Sequence, residues 1–238
     1  MKFISDFLLI RLAAIGLIVG VTCGCAEIFG YDDEDDDSPT LTVKDGDGNS
    51  YGIVKIGTQT WMSKNLATTK FNDGTSITHV QGGTEWTQQT SPAYSWYENK
   101  RETYGNVYGA MYNAYAVKTG KLCPAGWHVP SEDEWRTLIN YLGGASVAGG
   151  KLKEAGLSHW QSPNTGATNE SGFGALPGGV RWNNTTGYSI GYIGHWWTTT
   201  VGNYPSFSRV ATLYYNYSTI DFGGVDNGHG FSVRCLKN

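Results

Sequence analysis

Charge is scarce in this sequence. Only 16% of its 238 residues are Asp, Glu, Lys or Arg, whereas 13% are Phe, Trp or Tyr and 33 residues are glycine. Coiled coils, helical bundles and intrinsically disordered chains need far more charge and far fewer rings, so these three classes are excluded. Rings on a glycine-rich chain favour short strands joined by many turns.

Basic clusters are lacking as well. Lys2 and Arg11 are the only basic residues before position 38, whereas eight acidic residues lie there. Residues 38–238 therefore keep 15 of the 17 basic and 13 of the 21 acidic residues, which is a net charge of +2. A nucleic-acid-binding surface needs clustered Lys and Arg, so we expect no nucleic-acid partner.

Long apolar runs are also missing. The stretch Leu12–Val21 is too short for a permanent membrane helix, which needs about 20 residues. It ends in Thr22-Cys23-Gly24-Cys25, as bacterial lipoprotein signals do. We interpret residues 1–24 as a lipoprotein signal peptide and expect a lipid anchor on Cys25, with Cys23 as the other acceptor. A conventional secretory signal is the alternative.

Residues 25–39 are interpreted as a lipidated N-terminus and an acidic spacer. Six consecutive carboxylates, Asp32–Asp37, repel one another and bury nothing. Their position after the anchor resembles the acidic export tag of surface-displayed lipoproteins, whereas a plain tether is the alternative. The first interpretation predicts an outer-membrane or cell-surface location.

Cysteine is rare: outside the leader region only Cys123 and Cys235 remain. An exported protein matures in an oxidising compartment, and an even pair there predicts one disulfide. Two buried free thiols are the alternative.

The strongest helix signal begins at Ser131. Ser131 and Glu134 can form a capping box, and apolar residues recur at helical spacing from Trp135 to Leu142. A weaker helix is predicted over 109–117, and a short turn over 151–155.

Strands are predicted elsewhere, with loops rich in Gly, Asn and Tyr between the later ones. The predicted strands are 41–44, 51–56, 60–62, 195–199, 207–214 and 231–235, and the loops are 182–194, 200–206 and 215–229. Together these predict a single α+β domain over residues 40–238.

Several phrases of this domain occur together in one known family. They are Val54–Met62, Asn65-Leu66, Tyr112–Ala116, Cys123–Pro130, Glu134-Trp135, Gly149–Lys153, Asn169–Phe173, Leu176–Gly179, Trp196-Trp197 and Gly230–Cys235. With this combination the chain resembles the FISUMP major paralogous domain family of bacteria, over residues 40–237. The resemblance implies an exported protein or lipoprotein without an assigned activity.

The same pattern is remotely similar to the C-type-lectin-like and formylglycine-generating-enzyme fold group. This similarity implies a C-type-lectin-like or sulfatase-modifying-factor-like domain, with few short helices and antiparallel strands joined by long loops. In such folds the long loops of the second half form a binding face. The catalytic cysteine pair of the formylglycine-generating enzymes has no counterpart here, because both domain cysteines are assigned to the bridge.

Three sequence patterns resemble catalytic or metal-binding motifs but lack features that those motifs require. Gly187-x-Ser189-x-Gly191 matches a hydrolase motif, but no strand–turn–helix pattern surrounds it, so we expect a loop and no enzyme. The run 45–49 begins like a calcium loop without its sixth-place glycine, which favours a hairpin turn and leaves a looser calcium site open. The five histidines are scattered, so no metal or cofactor is expected.

The remaining signal is a set of rings in the second-half loops. Rings in Gly- and Asn-rich loops are hard to bury, and exposed rings suit stacking on sugars or anchoring a protein. Because neighbouring strand residues face opposite ways, one of Trp196 and Trp197 is expected to face these loops. The candidate ligand-binding residues are Arg181, Trp182, Tyr188, Tyr192, Trp197, Tyr204, Tyr215 and Tyr217.

The sequence therefore predicts a surface-anchored binding module for a glycan or a protein ligand. The alternative is a structural or adhesive surface component without a defined ligand pocket.

Overall fold

The computed structural model of the protein describes residues 41–182 and 184–238. The predicted signal peptide (1–24), the spacer (25–39) and the acylation site Cys25 lie outside these residues. Within them, no helix combines the length and the apolar character that a membrane span requires.

Five short α-helices lie in the described residues, together with a 3-10 helix (Tyr97–Asn99) and a π-helical turn (Arg101–Gly105). The α-helices are α1 (Gly83–Thr87), α2 (Asn106–Tyr108), α3 (Ala114–Lys118), α4 (Glu132–Tyr141) and α5 (Ala145–Leu152). The predicted capping box opens α4: Ser131 Oγ accepts the N–H of Glu134 at 3.2 Å, and Glu134 Oε2 accepts the N–H of Ser131 at 2.7 Å. Three acidic residues in the first turn also face the positive end of the helix dipole. The α4 prediction is confirmed.

The weaker helix prediction over 109–117 is wrong in its first half. Gly109 adopts a φ of 79°, a left-handed conformation that ends α2. The chain then runs extended, and α3 begins only after Asn113, whose side chain accepts the N–H of Ala116 at 3.0 Å. The turn predicted over 151–155 is instead the end of α5, whose N-terminal part the sequence analysis missed.

The first sheet has five strands and joins the two ends of the domain. Its strands are β1 (Thr42–Lys44), β2 (Ser50–Ile56), β3 (Gln59–Met62), β7 (Trp127–His128) and β11 (Leu236–Lys237), in the order β1-β2-β3-β11-β7. All of its pairs are antiparallel. The predicted disulfide is present: Cys123 and Cys235 are bonded, with their Cα atoms 6.0 Å apart, so it fastens β11 beside β7.

Two further sheets have three strands each. The larger contains β8 (Ile193–Val201), β9 (Phe207–Tyr214) and β10 (Ile220–Asp226), all antiparallel, with β9 in the middle. The smaller contains β4 (Thr78–His79), β5 (Ala93–Ser95) and β6 (Met111–Tyr112). The predicted loop over 215–229 is thus wrong for β10, and the predicted strand 231–235 forms only single bridges before β11. The result is a strand-rich α+β domain.

Strand β8 is buried on both faces from Gly194 to Thr198. Trp196 packs with Trp135 and Phe173, whereas its neighbour Trp197 packs with Phe231. Both indole rings are fully buried. The two rings do point to opposite faces, as the strand alternation predicts, but the expectation that one of them faces the loops is wrong because a separate core covers each face.

A candidate ligand-binding cleft

A concave site lies where the turn before β8 meets the end of β9. It is lined by Tyr97, Tyr188, Ser189, Ile190, Tyr192, Ile193, Tyr214 and Tyr215 and has a volume of about 520 Å³. Five of these eight residues are tyrosines, and we call the site the tyrosine cleft. It is open to solvent, because Tyr188 is 62% and Tyr192 45% exposed.

One wall is the turn over 187–193, which glycines allow to pack tightly. Val180 and Tyr188 exchange two backbone hydrogen bonds, of 3.0 and 2.8 Å. A Cβ atom on Gly187 would come within 2.7 Å of the Tyr97 ring, and a Cβ on Gly179 within 2.4 Å of the Tyr188 carbonyl. Only glycine fits these two positions, so the backbone of the turn packs directly against the ring of Tyr97.

The opposite wall is held by a buried lysine. Lys153 Nζ donates to the carbonyls of Thr165 (3.0 Å), Tyr214 (3.1 Å) and Tyr217 (2.9 Å). Burial lowers the pKa of Lys153 to about 8, while the three carbonyl acceptors favour the charged ammonium. Lys153 therefore fixes both ends of the segment that carries Tyr215.

The two walls are also joined directly. The N–H of Tyr215 donates to the carbonyl of Tyr192 at 2.9 Å, and the two rings meet edge to face with centroids 5.2 Å apart. Rings in this arrangement attract each other through their quadrupoles. The cleft is thus preformed rather than assembled from unconnected loops.

The cleft hydroxyls differ from those of the core. Tyr51 and Tyr112 are buried and donate to Asp45 and to the carbonyl of Thr68. The hydroxyls of Tyr188, Tyr192 and Tyr215 have no hydrogen-bond partner within the part of the chain that the structure describes. The cleft can therefore offer both ring surface and hydroxyl groups to a ligand.

The other predicted ligand-binding residues lie elsewhere. Tyr217 is 54% exposed and lies at the margin of the cleft, 6.1 Å from the Tyr214 ring between centroids. Trp182 is 37% exposed and packs edge-on against His229, at 4.5 Å. Tyr204 is exposed in the β8–β9 hairpin beside Phe207. Neither Trp182 nor Tyr204 lines the cleft.

Arg181 and Trp197 must be removed from the candidate surface, because both are fully buried. The Arg181 guanidinium donates to the carbonyls of residues 80–82 and lies 4.5 Å from the centre of the Trp86 ring. Trp197 Nε1 donates to the carbonyl of Tyr112 at 2.6 Å. Each side chain holds distant segments together and has no surface for a ligand to touch.

Two lining tyrosines were missed as site residues. Tyr214 ends β9, and its place beside Tyr215 in the sequence is a signal that could have included it. Tyr97 lies in the first half of the chain, about 90 residues from Tyr188, and no local pattern marks it. Its place in the cleft follows from long-range packing against Gly179 and Gly187.

The Gly187-x-Ser189-x-Gly191 motif lies in the cleft wall. Ser189 has a φ of 60° and sits in the turn before strand β8, so no helix follows it as in a hydrolase. The predicted loop is confirmed. Among the described residues no group of three or more His, Cys, Asp or Glu side chains could hold a metal ion.

Comparison with known proteins identifies the family of the domain. The model of the Fibrobacter succinogenes major domain matches residues 54–237. The chain belongs to this family. Searches of curated proteins and of solved structures find no significant match.

The phrases that carry the family resemblance build the core of this Fibrobacter-type domain. Arg234 donates to Asn65 Oδ1 at 2.8 Å and stacks on the Phe173 ring at 4.2 Å, and Trp196 Nε1 donates to the same Asn65 oxygen at 2.8 Å. Burial lowers the pKa of the Arg234 guanidinium to about 9. None of these phrases includes a tyrosine of the cleft, although the matched span 54–237 contains all five.

Proposed function

We propose that this chain is a surface-anchored lipoprotein whose folded domain binds a glycan in the tyrosine cleft. The observation that carries the proposal is the convergence of Tyr188, Tyr192, Tyr214 and Tyr215, which are exposed or half-buried, around the buried ring of Tyr97 on one open concave site. Tyrosine combines a flat apolar ring with a hydroxyl, which suits the apolar faces and the hydroxyl groups of sugars. No enzyme activity and no cofactor are part of this proposal.

The shape of the site favours a glycan over a protein partner. A stable protein–protein interface buries about 800 Å² on each side and has its anchoring residues near the centre of a broad surface. The tyrosine cleft is instead a small open site of about 520 Å³, a size within the range of small-ligand sites. A protein ligand is therefore the alternative that the binding experiment below distinguishes.

The anchoring part of the proposal rests on the sequence. The leader and its cysteines support acylation of Cys25, and the acidic run 32–37 supports display at the outer membrane or cell surface. We also propose a C-type-lectin-like topology, which likewise rests on the sequence. Mass analysis of the exported protein tests the anchor: acyl chains on Cys25 or Cys23 would support it, and an unmodified soluble product would contradict it.

A glycan array with the full chain tests the binding proposal, with Tyr188→Ala as the cleft variant. Tyr204→Ala is the matched control, because Tyr204 is a similarly exposed tyrosine outside the cleft. We expect reproducible binding to a glycan class that Tyr188→Ala weakens about tenfold or more and Tyr204→Ala leaves unchanged, since exposed rings can serve as hot spots.

Two results would overturn the proposed function. Binding that is equal in the wild type and in Tyr188→Ala would remove the cleft as the site. No binding to any glycan would favour the structural or adhesive alternative, or a protein ligand if a pull-down recovers one partner that Tyr188→Ala loses.

A further inference from the structure

A second cleft lies beside the first and differs from it in chemistry. Its lining includes the polar side chains of Lys64, Asn106, Glu154, His159 and Asn169, and its volume is about 400 Å³. We call it the His159 cleft. Val107, which is 39% exposed, adds an apolar edge.

The polar groups of the His159 cleft are partly fixed in place. His159 Nδ1 lies 2.9 and 2.8 Å from the two carboxylate oxygens of Glu154. This contact orients the imidazole and leaves Nε2 without a hydrogen-bond partner within the described residues.

Lys64 and Arg234 also line the cleft as cations against the single carboxylate of Glu154. The Arg234 guanidinium is buried and donates to Asn65 Oδ1 and to the carbonyls of Met62 and Phe173, so it is already paired within the protein. The remaining lining groups are therefore one cation, one carboxylate and neutral hydrogen-bonding side chains.

A row of aromatic rings joins the two clefts. From Tyr97 in the tyrosine cleft, ring centroids follow at 5.0 Å (Tyr104), 6.4 Å (Tyr108) and 5.7 Å (His159). Tyr104 and Tyr108 are half-buried, so part of each ring faces solvent. The rings pack on one another at interplanar angles of 69°, 41° and 85°, and Tyr97 is buried, so Tyr104 and Tyr108 are the tyrosines between the clefts that reach solvent.

The walls of the two clefts are also bonded to each other. The N–H of Gln161 donates to the carbonyl of Gly191 at 2.9 Å, which ties the segment of His159 to the turn that carries Tyr192. A Cβ on Gly191 would lie 3.6 Å from the carbonyl oxygen of His159. The segment that carries His159 and the turn that carries Tyr192 are therefore in direct contact.

We propose that the ligand is a neutral, linear oligosaccharide that spans both clefts, an inference that rests on the proposed function. One part of the chain stacks on the tyrosine cleft, the middle follows Tyr104 and Tyr108, and the far part bonds to Asn106, Glu154 and His159. Contact with the exposed parts of these rings suits sugars whose hydroxyls are all equatorial, because their ring faces then carry only C–H groups. The probes are therefore β-1,4-linked glucose oligomers.

The experiment is a calorimetric titration of the full chain with the disaccharide and with the hexasaccharide. We expect the hexasaccharide to bind about tenfold more tightly or better, because each tenfold gain needs only a few additional contacts. The matched β-1,4-linked mannose hexasaccharide, which carries an axial hydroxyl on each unit, is expected to bind more weakly than the glucose hexasaccharide.

A longer oligosaccharide can bind more tightly for two reasons: it contacts an extended site, or it offers more positions at which a short site can bind it. Variants distinguish these two explanations. Tyr108→Leu removes a flat ring while keeping apolar volume, and His159→Ala removes the hydrogen-bonding end. In both variants the hexasaccharide is expected to fall to the affinity of the disaccharide, which itself stays unchanged. Tyr188→Ala is expected to weaken both ligands, and Tyr141→Ala, an exposed tyrosine outside both clefts, to weaken neither.

The possible failures are distinguishable. Equal affinity of the two glucose oligomers in the wild type would overturn the extended site and leave the proposed function standing. A length dependence that Tyr108→Leu and His159→Ala do not change would also overturn it. If no glucose oligomer binds, the inference is wrong, whereas the proposed function then depends on whether the array yields another glycan.

Discussion

The core around Trp196 and the cleft around Tyr188 are built from the same class of side chain, but their rings are held differently. In the core several indole N–H groups are used internally: those of Trp160, Trp196 and Trp197 donate to Ala175, Asn65 and Tyr112, whereas those of Trp86 and Trp135 are buried without a partner among the described residues. In the cleft the backbone is fixed by Lys153 and by the glycine-rich turn, whereas the rings of Tyr188 and Tyr192 remain largely exposed.

This difference teaches where composition can mislead. A chain rich in aromatics uses most of its tryptophans for packing, and of the nine only Trp182 is exposed. Exposure, together with a hydroxyl that has no internal partner, separates a binding ring from a packing ring. The following predictions test whether core and cleft are separable in this way.

The largest effect is expected from opening the disulfide. Cys123→Ser should lower the free energy of unfolding by about 4 kcal/mol, since the bridge closes a loop of 112 residues. Chemical denaturation under oxidising conditions measures this change, and reductant should have little further effect on the variant. A loss below about 1 kcal/mol would mean that packing alone holds β11 in the first sheet.

The next effect concerns the Trp196 ring. Trp196→Phe removes buried ring atoms and the hydrogen bond to Asn65, which Arg234 also shares, so stability should fall by about 2–3 kcal/mol. Urea unfolding measures the change. If the binding free energy for the glycan falls by as much as the free energy of unfolding, the core and the cleft are coupled, and the distinction between them is wrong.

Acid should also weaken the core. His195 is buried with Nδ1 2.9 Å from Thr212 Oγ1, and burial, with a smaller contribution from His229, lowers its pKa from 6.5 to about 3. The unfolded chain then binds a proton that the folded chain excludes, so stability is complete above pH 6.5 and falls towards pH 3.

Within that pH window His195 is expected to lower the free energy of unfolding by about 1.4 kcal/mol for each unit that the pH falls. The free energy of unfolding of the wild type and of His195→Gln is measured between about pH 6.5 and 5. The difference between the two pH dependences isolates His195, because the lowered pKa of His229 remains in both proteins. Parallel curves for the two proteins would show that His195 is not responsible.

The smallest effect on stability is expected in the cleft. Tyr188→Ala removes a largely exposed ring and should change the free energy of unfolding by less than about 0.5 kcal/mol. Thermal or urea unfolding gives the value. A loss of more than about 2 kcal/mol would show that Tyr188 is a packing residue, and its role in binding could then not be tested by this substitution.

Local chemistry made much of the frame predictable. The capping box of α4 and the hairpin of β1 and β2 depend on residues close in sequence, and the disulfide follows from counting cysteines. Strand β10 was missed because Gly223 and Gly224 interrupt it and only Ile220 among its side chains is buried, so the alternating pattern is weak.

The site was predictable only in part. Tyr188, Tyr192 and Tyr215 were identified because rings in glycine-rich segments are hard to bury. Arg181 lies in a similar segment, but its acceptors are carbonyls about 100 residues earlier in the sequence, which no local pattern reveals. Tyr97 enters the cleft in the same long-range way.

The most direct test of a binding cleft distinct from the core is a ring-resolved NMR titration of the full chain with the tightest-binding glycan. With labelled tyrosine and tryptophan rings, we predict shifts at Tyr97, Tyr188, Tyr192, Tyr214 and Tyr215 and unchanged signals from Trp196 and Trp197. Shifts confined to Trp182 and Tyr204, with the cleft tyrosines unmoved, would contradict it.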